Sequence, residues 1–313
     1  MRGRRVSMLP WFRFGYLIGM HFAILDGIAG QDTMNVTFWG VRGTIPTPQP
    51  ANMYFGGETP CVEVEAEGRR IVLDGGSGLR QLGNRMLHGL GTRRLDEDIL
   101  FSHFHWDHLQ GIPYFVPLFM ESALRFHSHL PVEALHATLS RLMEAPFFPL
   151  AFDAAAAAKE YRQFKSYSAF EIGPFHITPF PLRHPQGCHG FRIECNGRVV
   201  VYATDHEHGD AESDAILLEH ASGADLLIAD AQYTPQEYPQ RIGWGHSTWL
   251  EAARLAVQAK VKRLALFHHD PLRDDDSLRN IELLAREVFA STDAAREGTI
   301  IAIEDRADGF TQQ

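Results

Sequence analysis

Cysteine is scarce in this 313-residue chain: only Cys61, Cys188 and Cys195 occur, widely spaced and without a Cys-x-x-Cys pair. That provides no disulfide framework and fits a reducing compartment, with the cytoplasm as the default. Positive charge is also short, with 29 Lys and Arg against 39 Asp and Glu, a formal net charge of -10 and a pI near 5.9. That argues against a broad phosphate-tracking surface, leaving room for a local basic patch, and long nucleic acid is a disfavoured partner. A long uninterrupted apolar run is missing as well. The segment from Leu9 to Ala29, preceded by Arg2, Arg4 and Arg5, has the polarity of a targeting signal, but Arg13, His21 and Asp26 break it. It is too polar for a good spanning helix and mediocre as a secretory signal, so no stable membrane partner is expected. We read residues 1–33 as an N-terminal extension, either an upstream translation start ahead of Met34 or a weak segment for export or membrane association. No linker, charge run, low-complexity tract or short-period repeat divides the remainder, so residues 34–313 read as one domain, with a composition compatible with a homodimer.

What is present is ordinary for a globular protein, 45% hydrophobic and 22% charged, and it alternates strand and helix signals. Strand material runs through Val36-Thr37-Phe38-Trp39, Val62-Glu63-Val64 and Ile71-Val72-Leu73, the last ending in Asp74-Gly75-Gly76 before a helix from Leu79 to Leu87. Leu124 to His127 reads as a strand and Val132 to Met143 as a helix after Pro131. The five alanines and preceding aromatics of residues 144–170 read as an excursion over the surface, with a lid as one role for it. Beyond it, two apolar runs around Asn196-Gly197 predict a hairpin. The last third predicts helices near 213–220, 248–259 and 277–289, with strands at Leu226-Leu227-Ile228 and Leu264-Ala265-Leu266-Phe267. The expected class is α/β, with sheets covered by helices.

One stretch carries most of the chemistry: His103-Phe104-His105-Trp106-Asp107-His108 holds four candidate metal ligands in six residues, just past the apolar Ile99-Leu100-Phe101. On an extended backbone His103 and His105 point to one side, and a turn near Leu109 aims Asp107 and His108 at a neighbouring point. Four further polar residues also sit at or just past apolar strands: His184, Asp205, Asp230 and His268. Singly each is as well explained as a turn former. Together they complete two metal sites, with His103, His105 and His184 on one ion, Asp107, His108 and His268 on the other, and Asp205 bridging. His246, in Gly245-His246-Ser247-Thr248, precedes a helix that Ser or Thr can cap.

These residues resemble the metallo-β-lactamase superfamily over nearly the whole chain from Met34. His103 to His108 match its H-x-H-x-D-H signature, and His184, Thr204-Asp205 and Phe267-His268 follow in the family's order. Gly245-His246-Ser247-Thr248 and Ile228-Ala229-Asp230-Ala231 resemble the phosphodiesterase branch that includes ribonuclease Z and the phosphoribosyl cyclic phosphodiesterases. The segments from Phe38 to Gly57 and from Leu73 to Gly78 are similar to the cyclic-phosphodiesterase-like group. The resemblance implies an αββα four-layer sandwich with metals at the edge between two sheets. Asp230 stands where that branch has a Glu orienting the histidine. Only residues 185–204 separate His184 from Asp205, which leaves no room for the RNA-grasping arm that ribonuclease Z inserts there.

The expected activity is a dinuclear metal-dependent hydrolase acting on a small or cyclic phosphodiester by attack of a metal-bridged hydroxide. Two divalent ions are implied, zinc foremost and manganese or iron as alternatives, because the ligands are nitrogen and oxygen without thiolate. His246, held by Asp230, would stabilise transition-state oxygens or protonate the leaving alkoxide, and Asp107 is shared between ligation and catalysis. Asp74 reads either as a support of the metal loop or as a plain turn former. The alternatives are a thioester or lactone hydrolase on the same fold and an RNA-processing nuclease.

Overall fold

The computed structural model describes residues 33–88 and 94–304; the N-terminal extension, but for Thr33, lies outside the described residues. Seven strands form each of two sheets. The first sheet contains β1 (Met34–Gly40), β2 (Cys61–Ala66), β3 (Arg69–Leu73), β4 (Asp96–Leu100), β5 (Ala123–Ser128) and β6 (Ala158–Gln163) in that spatial order. The second contains β7 (Phe170–Ile172), β8 (Phe175–Leu182), β9 (Cys188–Cys195), β10 (Arg198–Ala203), β11 (Leu226–Asp230), β12 (Leu264–Phe267) and β13 (Thr292–Ala294), likewise in order. The last strand, β14 (Ile300–Ile303), returns to pair antiparallel with β1.

The hydrophobic pattern explains the layers. Along β10, Val200 and Tyr202 face the first sheet with Phe38, Val64, Leu73 and Leu100 nearby in one core, while Val199 and Val201 belong to a separate outer core. A strand buried on both faces needs continuous apolar sequence, which is what Val199 to Ala203 supplies. Helices α1 (Gly78–Leu87) and α2 (Val132–Arg141) cover the first sheet through Leu79, Leu82, Leu135 and Leu139. Helices α3 (Ala211–Ala221), α4 (Trp249–Ala259) and α5 (Asp275–Val288) cover the second through Leu217, Ala253, Ala256, Leu278 and Ile281. The result is the expected αββα sandwich. Among the described residues, no helix is long and apolar enough to cross a membrane.

Strand direction is what positions the site. β3 to β6 run parallel, as do β10 to β13, while β8 is antiparallel to β9 and β9 to β10, so β8 points the same way as β10. The residues following β4, β8, β10 and β12 are the candidate ligands, consistent with the tendency of α/β sheets to place ligands at carboxyl strand ends. The turn between β9 and β10 has Asn196 and Gly197 at φ 49° and 75°, the left-handed pair a two-residue hairpin needs.

One expectation is narrowed. Within residues 144–170 the stretch 144–151 runs largely exposed over the surface; β6 follows and pairs parallel with β5 from Ala123↔Ala158 to Ser128↔Gln163. Phe152, Ala155 and Ala157 are buried against the core under α2. The misreading has a physical cause, since an edge strand with one solvent face, Ala-Lys-Glu-Tyr-Arg-Gln, lacks the apolar run that marks its central neighbours.

Candidate metal centre

The chain leaves β4 extended and closes in one 3-10 turn at Trp106–His108. The extended part brings the His103 and His105 rings to a centroid separation of 4.6 Å, and the turn returns His108 to 4.2 Å from His103. On the second sheet Asp205 and His268 leave their strands with φ 55° and 58°, and Asp74 leaves β3 with φ 62°. Left-handed backbone at non-glycine residues costs on the order of 1–3 kcal/mol and persists where surrounding contacts hold it. Here all three side chains are buried and hydrogen-bonded.

The predicted residues converge. Donor atoms of His103, His105, His184 and Asp205 lie within 4.8 Å of one another, as do those of Asp107, His108 and His268. Asp205 faces both groups with different oxygens. Its Oδ2 is 3.6 Å from the Nε2 of His103 and of His184, and its Oδ1 is 3.3 Å from His108 and 3.4 Å from His268. Asp107 Oδ2 lies 3.2 Å from His268 Nε2 and accepts the Thr44 amide at 2.7 Å. Gly43, next to Thr44, tolerates no side chain, because a Cβ there would fall 2.4 Å from the His268 ring.

Hydrogen bonds on the far side of each ring settle which nitrogen faces inward. His184 Nδ1 donates to the Gly245 carbonyl at 2.8 Å, His108 Nδ1 to Asp74 Oδ2 at 2.8 Å, and His268 Nδ1 to Gln232 Oε1 at 2.9 Å. Ser102 Oγ spends its proton on Asp74 at 2.7 Å and so accepts from His103 Nδ1 at 3.0 Å. These four imidazoles therefore turn Nε2 toward the centre, the orientation that outer partners impose on ligating histidines, whereas His105 presents Nδ1, 2.9 Å from His184 Nε2. The Nε2 atoms of His103 and His108 are buried and meet no hydrogen-bond partner. A buried acceptor left unsatisfied is costly, and this nitrogen and oxygen set suits divalent cations, so the residues present fit such ions.

Asp230 and His246 stand beside this donor set. His246 Nδ1 donates to Asp230 Oδ2 at 2.7 Å, and its ring stacks on His268 at 4.8 Å. The shorter Asp thus makes the bond, and the amides of Asp205, Gln232 and Ser247 also donate to its carboxylate, at 3.1, 3.1 and 3.0 Å. Thr248 caps α4 by accepting from the Glu251 amide. The nearby histidines His189, His206 and His269 are tied into Ser166, Asp214 and the Ala295 carbonyl. Cys188 is buried and turned toward the Thr204 carbonyl.

Sequence reasoning passed over four contributors. Asp74 is fully buried and accepts from Ser102 N, Ser102 Oγ, Tyr202 OH and His108 Nδ1, so Ser102 and Tyr202 belong to one buttress with it. Gln232 orients His268, and Glu207 accepts the amides of Gly243 and Gly245, both at 2.7 Å. Only adjacency marked Ser102 in the sequence; Tyr202 reads as core, and Gln232 and Glu207 as loop polarity.

The charges bear on one another strongly. Burial holds His103 well below the usual histidine range and lowers His184 to about 4, both favouring neutral imidazole. Burial alone would lower His108 too, but Asp205, Asp107 and Asp74 outweigh it and push His108 up. His246 is likewise opposed by burial yet raised to about 9 by the charge and hydrogen bond of Asp230. Tyr202 is pushed well up by burial and by Asp74, so its hydroxyl keeps its proton.

Comparison with known proteins follows the same pattern. A ribonuclease Z of Brevibacillus brevis is 36% identical over 118 residues, 36% of each chain. Another, of Bradyrhizobium diazoefficiens, is 26% identical over 290 residues, covering 78% of this chain and 92% of its own. The metallo-beta-lactamase fold protein YhfI of Bacillus subtilis superposes with a TM-score of 0.65 at 22% identity, over 87% of this chain and 100% of its own. A diphosphatase of the PhnP family superposes with a TM-score of 0.64 at 18% identity, over 87% and 98%. Residues 69–269, which span His103 to His268, match the model of the beta-lactamase superfamily domain, and the chain belongs to that superfamily.

Proposed function

We propose that this protein is a metal-dependent phosphodiesterase acting on a small or cyclic phosphodiester. His103, His105, His184 and Asp205 would hold one divalent ion and Asp107, His108, His268 and Asp205 a second, with zinc as the first candidate and manganese or iron as alternatives. Bound there, the ions supply Lewis-acid stabilisation of phosphoryl charge and a water of lowered pKa.

The chain's own contribution is the Asp230–His246 pair, and this carries the reading. Asp230 fixes the His246 ring through Nδ1 and its charge favours the protonated form, so the imidazole is placed to donate a hydrogen bond or proton to an oxygen of the phosphoryl group or of the leaving alkoxide. A thioester, which expels a thiolate of much lower pKa, has less need of such a donor. Asp74, Gln232 and the Gly245 carbonyl fix ring orientation, so little reorganises when substrate arrives.

The names of the ribonuclease Z relatives favour a second reading, an RNA-processing nuclease. Against it stand the acidic balance of the chain and the bare β9–β10 hairpin between His184 and Asp205. A cytoplasmic enzyme free of stable nucleic-acid or membrane partners is the setting this supports. The test is a panel of bis-aryl phosphate, cyclic nucleotide, thioester, lactone and precursor tRNA substrates on metal-loaded protein. Turnover confined to the small phosphodiesters is expected; a thioester or lactone preference would replace the reading, and cleavage of precursor tRNA above all others would favour the nuclease.

A further inference from the structure

Between Tyr238 and His246 the chain forms an arch held with unusual firmness. Glu207, only 2% exposed, accepts the amides of Gly243 and Gly245 with its two oxygens, both at 2.7 Å, and the Tyr238 hydroxyl at 3.2 Å. Both glycines have left-handed φ, 86° and 87°, and a Cβ on Gly245 would fall 2.2 Å from the His184 ring. The residue between them, Trp244, is nevertheless 56% exposed. Exposure of so large an apolar ring on a mobile loop would mean little, but this one is gripped on both sides by a buried carboxylate. Its amide is fixed as well, donating to the Arg241 carbonyl at 3.0 Å.

The position of this indole gives it chemical meaning. The next residue, Gly245, holds His184 through its carbonyl, and the one after is His246. A second exposed indole, Trp106 at 62%, lies between His105 and Asp107, and one imidazole spans the gap, since His184 Nε2 is 2.9 Å from His105 Nδ1. Each of two exposed tryptophans thus adjoins, along the chain, residues of the centre. Cationic groups accompany them. The Arg241 guanidinium carbon lies 4.6 Å from the centroid of the Trp244 ring, and Arg183, half-exposed, reaches the His208 carbonyl at 3.4 Å. In a chain of net charge -10, Arg241 covers one face of the Trp244 ring and adds a cation to it, while Arg183 lies 3.9 Å from Glu207; a flat ring carrying such a cation suits a planar, anionic partner.

We infer that Trp244, presented by the Glu207-clamped arch, is a stacking platform for a nucleobase, so that the substrate is a nucleotide phosphodiester rather than a bare sugar phosphate. The inference rests on the phosphodiester reading for what happens to the phosphate, but the stacking itself does not depend on turnover. Base–aromatic stacks tolerate any base, because each has a π face, so the platform confers a preference for nucleotides without choosing among them.

The experiment compares equilibrium binding of adenosine 5′-monophosphate and ribose 5-phosphate to the metal-loaded protein, in the wild type, Trp244→Ala and Trp244→Phe. The two ligands share the phosphate and differ in the base. The wild type should bind the nucleotide roughly tenfold more tightly, Trp244→Ala should bring that ratio close to one, and Trp244→Phe should keep most of it. Equal affinities in the wild type, or a ratio that survives Trp244→Ala, overturn the platform. Parallel turnover assays with adenosine 2′,3′-cyclic phosphate and ribose 1,2-cyclic phosphate separate the two claims. If the binding ratio behaves as described and neither cyclic ester is hydrolysed, the phosphodiesterase reading fails while the platform stands.

Discussion

On the first sheet His103, His105, Asp107 and His108 come from one loop after β4, whereas on the second His184, Asp205 and His268 come from the ends of three strands, with Asp230 and His246 beside them. The support behind them differs in the same way. His103 and His108 both lean on Asp74, directly or through Ser102, while His184, His268 and His246 each have a separate acceptor in the Gly245 carbonyl, Gln232 and Asp230. Damage behind the first sheet should therefore spread to several ligands, and damage behind the second should stay with one. Asp205 belongs to both groups, its two carboxylate oxygens divided between them.

The largest effect is expected where the comparison breaks down, at that shared residue. Asp205→Ala should reduce phosphodiester turnover to background and strip the metal from both groups, read by elemental analysis of the purified protein. Next is Asp74→Ala, which removes an acceptor from Ser102, Tyr202 and His108 at once. Metal affinity should fall by about 10–100-fold, and stability in urea by about 1–3 kcal/mol for the polar groups left buried. Gln232→Ala frees only His268, so a stepwise metal titration should show one ion weakened by about tenfold and the other unchanged. Equal weakening of both ions would show that the second sheet is as interdependent as the first.

The smallest effect should leave the centre untouched. Glu97 on β4 is raised to about 7, chiefly by burial, with Arg70 opposing. A carboxyl whose folded pKa lies above its unfolded one gives stability that is full below about 4.5 and lost as pH rises through 7. Glu97→Gln should thus stabilise the protein by about 1 kcal/mol or more at pH 8 and have no benefit at pH 4, measured by thermal unfolding across that range, with metal affinity unaltered.

The same contrast governs what could be read from the sequence. The first-sheet ligands were visible because six consecutive residues hold four of them, and chain geometry alone brings them together. The second-sheet residues were each weak signals at strand ends, and only their order along the chain, with the family resemblance, joined them. Gln232 and Glu207 were illegible because their meaning lies in partners 36 and 38 residues away that touch only after folding. In the fold, central strands such as β10 and β12 announced themselves by continuous apolar runs. The edge strand β6 did not, since half of it faces water, and β7, β13 and β14 are three or four residues long, too short for a period to show.

The phosphodiester claim depends most on one histidine that belongs to neither ligand group's proposed set yet stacks on one of its members. Turnover of a cyclic phosphodiester by His246→Ala, with metal content determined on the same sample, tests it directly. The account predicts a fall of about two decades or more with both ions retained; unchanged turnover at full metal occupancy would contradict it.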